Sequence, residues 1–66
     1  MQITVNGETV NLSAATTAAA FLEAKSYNIA RIAVELNGDI LPKARYASVT
    51  LAEGDVMEIV SFVGGG

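Results

Sequence analysis

Residues 3–12 read ITVNGETVNL, and their pattern sets the architecture of the chain. Ile3 and Val5 alternate with Thr4 and Asn6, and Val10 and Leu12 alternate with Thr9 and Asn11. A period of two puts the apolar side chains on one face of a strand and the polar ones on the other. Between the two runs lies Asn6-Gly7, a dipeptide that accepts the positive φ angles of a type I′ turn. The stretch predicts a β-hairpin whose apolar face another element must cover.

The cover comes next in the chain. Residues 13–25, SAATTAAAFLEAK, are rich in alanine, the best helix former. Thr16 or Thr17 can cap the start by accepting a hydrogen bond from an orphan N–H. Ala18, Phe21, Leu22 and the stem of Lys25 fall at i, i+3, i+4 and i+7, on one helical face. A core helix is expected there, with Phe21 and Leu22 on the hairpin and small alanines allowing close approach.

Extended structure returns at residues 32–42, IAVELNGDILP, where Val34 and Leu36 alternate with Glu35 and Asn37. Asn37-Gly38 turns the chain again, and Pro42, lacking an N–H, limits Ile40-Leu41 to a short or edge segment. Residues 43–49, KARYASV, are expected to be irregular or a single helical turn, with Tyr46 as an amphipathic anchor. Glu53-Gly54-Asp55 predicts a turn and residues 56–63, VMEIVSFV, the last strand. The order is β-β-α-β-(short)-β. To bury Met57 and Ile59 the last strand must pair inside the sheet.

Composition narrows the chemistry. Sixty-six residues make one domain, and 52% apolar residues suffice for one core. Cysteine and histidine are both absent, which removes thiolate nucleophiles, disulfides, the commonest metal ligand and the usual general base. Seven acids against four bases give a net charge of −3, and Lys25, Arg31, Lys43 and Arg45 are scattered, so a nucleic-acid partner is not expected. No apolar run approaches the roughly 20 residues of a membrane helix, and the opening Met1-Gln2-Ile3-Thr4 does not resemble a signal peptide. A cytoplasmic protein without membrane association is expected.

Catalytic groups are hard to find. Ser13, Ser26, Ser48 and Ser61 have no histidine base. Glu53 and Asp55 read as solvated turn residues, and Asp39, Glu53, Asp55 and Glu58 match no calcium-loop spacing. No glycine-rich strand-to-helix junction exists to cradle phosphate. The domain is therefore not expected to be an enzyme. Glu58 should face water, since an unpaired buried carboxylate is costly. The same alternation then turns Val56, Val60 and Phe62 outward, an apolar patch of the kind that marks a partner site. A strand buried on both faces near its end, or single exposed side chains, are the competing readings.

The sequence closes on SFVGGG. Gly64, Gly65 and Gly66 give a core nothing to bury, and three extended residues reach about 10 Å. Such a tail can enter a channel too narrow for alanine and leaves a terminal carbonyl unhindered. A carboxylate is a poor electrophile, so it must be activated, for example as an acyl-adenylate made with ATP by another protein. A frayed end or a cloning scar looks the same. Its meaning comes from its combination with the β-β-α-β-β core and the apolar last strand.

That combination resembles the ThiS family of sulfur carrier proteins over essentially the whole chain. The likeness rests on MQITVNGE, VELNGDILPKARYA, LAEGDVMEIV and the terminal FVGGG. Where family members often carry Trp after the proline, this chain has Tyr46, another aromatic. The resemblance implies an α+β, ubiquitin-like β-grasp fold, with a mixed four- to five-stranded sheet on one main helix. The domain would span residues 1–63, and residues 64–66 would form a flexible glycine tail. It also implies a protein cosubstrate with no cofactor of its own. A ThiF-like adenylating enzyme, using its own ATP and magnesium, would adenylate Gly66. Sulfur from a cysteine persulfide would replace AMP to leave a thiocarboxylate, and a ThiG-like thiazole synthase would take that sulfur into the thiazole of thiamin. Gly64 and Gly65 would thread, while Val60, Phe62 and Val63 dock. Rivals are the small subunit of molybdopterin synthase, a modifier joined to lysines as ubiquitin is, and a non-covalent β-grasp module.

Overall fold

Ile3 and Val5 point into the core from strand β1 (Gln2–Val5), which pairs antiparallel with β2 (Glu8–Asn11) in a computed structural model that describes residues 1–62. The hairpin turn takes positive φ at both Asn6 (50°) and Gly7 (83°), the type I′ pattern the dipeptide predicts. Helix α1 (Ala18–Ala24) comes next, capped by Thr17, whose hydroxyl accepts from the Ala20 N–H at 3.1 Å. Its face of Ala18, Phe21 and Leu22 is buried, as its periodicity requires. Lys25 departs from expectation. The helix ends at Ala24, so Lys25 becomes the exposed C-cap and not a fourth residue of the buried stripe.

The helix end has a clear stop signal in its hydrogen bonds. Ser26 adopts φ 65°, its N–H donates to Glu23 O, and the Tyr27 N–H donates to Leu22 O. This is a Schellman motif with serine where glycine is usual. The chain then makes a 3₁₀ turn over Ile29–Arg31, capped by the Asn28 carboxamide, which the local pattern does not foreshadow.

Strand β3 (Ile32–Leu36) turns through Asn37-Gly38 into the three-residue edge strand β4 (Asp39–Leu41) ahead of Pro42. A second 3₁₀ turn, Lys43–Arg45, leads into a segment that crosses the start of α1. There the Ala18 N–H donates to Val49 O and the Ala19 N–H to Tyr46 O, so two orphan donors of the helix are satisfied from outside it. Tyr46 is 3% exposed, more deeply placed than an amphipathic anchor, and its hydroxyl has no hydrogen-bond partner among the described residues. Burial pushes its phenol pKa above the ordinary value.

Strand β5 (Val56–Ser61) completes a five-stranded sheet in the order β2-β1-β5-β3-β4. It runs parallel to β1 and antiparallel to β3, and so lies at the centre, where Met57 and Ile59 can be buried. Ile3, Leu22, Ile32, Val34 and Met57 are the largest fully enclosed side chains, each stabilising the fold by about 1.5–3 kcal/mol. The domain boundary expected between residues 63 and 64 lies outside the described residues.

Candidate functional site

Val56, Val60 and Phe62 face away from the core, 45%, 59% and 53% exposed, while Met57 and Ile59 lie beneath them. The strand is therefore one-sided. On the next strands Ala33 pairs with Val60, Glu35 with Glu58, and Ile40 with Glu35, and all of these side chains are exposed. Ile40 is the most exposed large apolar residue among those described, at 75%. Phe62 continues beyond β5 and is still tied down, its N–H donating to Arg31 O at 2.7 Å. Exposed apolar side chains, interrupted by Glu58 and Glu35, thus run up the middle of the outer sheet face to the last described residue. Val63, Gly64, Gly65 and Gly66, expected to dock, thread and carry the modification, lie outside the described residues.

Two asparagines hold this strand in place, and both come from the Asn-Gly turns. Asn6 Oδ1 accepts from the Ile59 N–H at 2.7 Å, and Asn6 Nδ2 donates to Ile59 O at 3.3 Å. On the other side Asn37 Oδ1 accepts from the Val56 N–H at 2.9 Å, and the Asn37 N–H donates to Val56 O. Glu53 and Asp55 also do more than solvate a turn. Glu53 accepts from the Gln2 N–H, and Asp55 accepts from the Ala52 N–H and from Asn37 Nδ2. These carboxylates lock the turn before β5 to β1 and to Asn37. Sequence reasoning found the turns but not the clamps, whose partners are remote in the chain.

On the opposite side of the sheet a depression of about 310 Å³ is lined by Val5, Asn6, Glu8, Val10, Phe21, Lys25 and Tyr27. It lies between the hairpin and the end of α1, away from the outward strip. Among the described residues no three acidic, histidine or cysteine side chains converge as a metal site would require. No helix among them is long and apolar enough to cross a membrane.

A mixed sheet with a parallel central pair, folded over one helix and ending on its central strand, defines a ubiquitin-like β-grasp domain that presents its last strand outward. The model of the ThiS family matches residues 2–66, and the chain belongs to that family. The crystal structure of the thiamine biosynthesis protein ThiS from Geobacter metallireducens superposes with a TM-score of 0.84 at 32% identity, covering 100% of both chains. Sulfur carrier protein ThiS of Bacillus subtilis is 54% identical over 35 residues, 53% of each chain. The thiazole synthase of Paramagnetospirillum magneticum is 44% identical over 66 residues. The chain spans 100% of its own length in that match but only 20% of the relative's. The thiazole synthase of Magnetococcus marinus gives the same coverage at 38% identity.

Proposed function

We propose that this chain is a sulfur carrier for thiazole formation in thiamin biosynthesis, a protein cosubstrate and not itself an enzyme. The observation that carries the reading is the apolar strip of Val60 and Phe62, which rises along the central strand toward the glycines of a ThiS-family sequence. In this scheme the Gly66 carboxylate attacks the α-phosphorus of ATP on a ThiF-like adenylating enzyme, and pyrophosphate leaves. ATP and magnesium belong to that enzyme. A cysteine persulfide then attacks the acyl carbon and displaces AMP. A thiol reductant cleaves the resulting acyl disulfide, leaving the thiocarboxylate on Gly66 and a new disulfide on the donor side.

Gly64 and Gly65 thread into the partner's cleft, where side chains would obstruct. Val60, Phe62 and Val63 dock, and the apolar area they remove from water offsets the entropy of ordering the tail. The named thiazole synthases, each containing a stretch similar to this chain, support a ThiG-like enzyme as the acceptor. They also favour the thiazole over molybdopterin as the destination of the sulfur.

The test is the intact mass of the chain after incubation with ATP, magnesium, a ThiF-like enzyme and a persulfide source. Exchange of one terminal oxygen for sulfur, localised to Gly66 and lost when Gly66 is deleted, is the expected result. An unchanged mass, beside a control carrier that reacts, overturns the reading.

A further inference from the structure

Glu35 on β3 and Glu58 on β5 stand directly opposite one another in the antiparallel register, both exposed on the outer face. In such pairs the Cβ atoms are about 4.5–5.5 Å apart, a distance at which like charges repel. The carboxylates that hydrogen-bond within the described residues are others, Glu53 and Asp55. Four of the pair's neighbours are apolar, beside Asn6 and Asn37, whose carboxamides are engaged with the backbone of β5. Val56 and Val60 flank Glu58 along β5, Ile40 lies across from Glu35, and Ala33 lies across from Val60.

Two acids bordered by exposed aliphatic side chains restrict what this face can meet. A second copy laid face to face would bring four carboxylates into one apolar contact, so the pair rejects self-association there. A purely apolar partner would strip water from both charges without replacing it. A partner cation solves both problems. One guanidinium presents a planar fork of donors that two adjacent carboxylates can share, and the aliphatic side chains beside them help exclude water from the contact.

We propose that the outer sheet face docks a partner protein whose matching surface is apolar with an arginine at its centre, and that Glu35 and Glu58 together are the recognition site for that arginine. The proposal rests on the carrier reading in placing the partner on the strip that leads to the glycines. The charge recognition itself comes from the register of β3 and β5.

The ThiF-like adenylating enzyme and the ThiG-like synthase serve as probes, titrated with the chain at about 0.05 M and about 0.5 M salt. With at least one of them, E35Q/E58Q should weaken binding about tenfold or more at low salt and flatten the salt dependence. V60S should weaken binding while keeping the salt dependence. Melting curves accompany each variant, and the double glutamine variant should melt no lower than the parent because it removes a repulsion. If E35Q/E58Q binds both enzymes with parental affinity and salt slope, the recognition is purely apolar and the proposal fails, while thiocarboxylate formation leaves the carrier reading standing. If the parent chain binds neither enzyme and gains no sulfur, the carrier reading fails and this assignment falls with it.

Discussion

The carboxamide of Asn6 stands in for a strand against Ile59. The Asn6 N–H donates to Met57 O as the last ladder bond of β1, and the chain then turns away. Its side chain continues the ladder, accepting from the Ile59 N–H and donating to Ile59 O. The same residue holds φ 50°, a conformation asparagine tolerates better than most. One side chain therefore makes the hairpin turn and extends the grip on β5.

Asn6→Gly keeps the turn and deletes the bridge. It should destabilise the fold by about 1–3 kcal/mol, the net worth of two partly buried hydrogen bonds. Amide exchange at Ile59 should accelerate more than at Val34. Asn6→Ala should lose roughly a further 1 kcal/mol from the left-handed backbone. Equal stability of Asn6→Gly and the parent would mean that the bridge contributes nothing.

The local parts of this design were legible in the sequence, and the long-range parts were not. Alternation marked Ile3 and Val5, and it separated Met57 and Ile59 from Val56, Val60 and Phe62, because a strand's two faces are encoded in adjacent residues. A threonine cap was expected at Thr16 or Thr17, and the hydrogen bond to the Ala20 N–H places it at Thr17. The Asn6–Ile59 bridge joins positions 53 residues apart and exists only because β1 lies parallel to β5, which no short pattern encodes. Lys25 continues the helical period, but period does not say where a helix stops. The stop is the left-handed Ser26, a residue type that seldom marks one. How deeply Tyr46 sits depends on the 43–51 segment crossing the helix, a tertiary arrangement.

Ser26 offers a direct gain. Its φ of 65° at the residue after the C-cap suits glycine, and Ser26→Gly should stabilise the fold by about 0.5–1 kcal/mol. For a domain of this size that is roughly a 2–8 °C rise in melting temperature. A lower melting temperature would show that the serine contributes something beyond its backbone angle.

Tyr46 carries a hydroxyl that is buried without a partner among the described residues. Tyr46→Phe keeps the ring packing and removes that group, so it should be neutral or stabilise by about 1 kcal/mol at neutral pH. The alkaline limb should also change. The folded chain holds the phenolic proton above the ordinary pKa of 10.0, whereas the unfolded chain releases it near that value. The stability tied to this proton is fully present below pH 10.0 and is lost as pH rises toward the folded pKa. Denaturant titrations from neutral pH upward should show a gentler alkaline loss in Tyr46→Phe than in the parent. Parallel curves would remove Tyr46 as the cause.

Phe62 is half exposed and outside the core, so Phe62→Ser should change stability by less than about 0.5 kcal/mol. Thiocarboxylate formation at limiting adenylating enzyme should nevertheless fall by about tenfold, as for an aromatic anchor lost from an interface. Unimpaired sulfur loading in this variant would take Phe62 out of the docking surface.

Because β5 is central, a pull on the chain beyond Phe62 acts along a strand held on both sides. The load falls on the β1 and β3 ladders in shear, so that many bonds bear it together. An edge strand pulled away from its one neighbour would instead open one bond at a time. Resistance to such tension is a matter of the unfolding barrier, not of equilibrium stability. A domain with its last described strand so placed resists a pull on that end without unravelling.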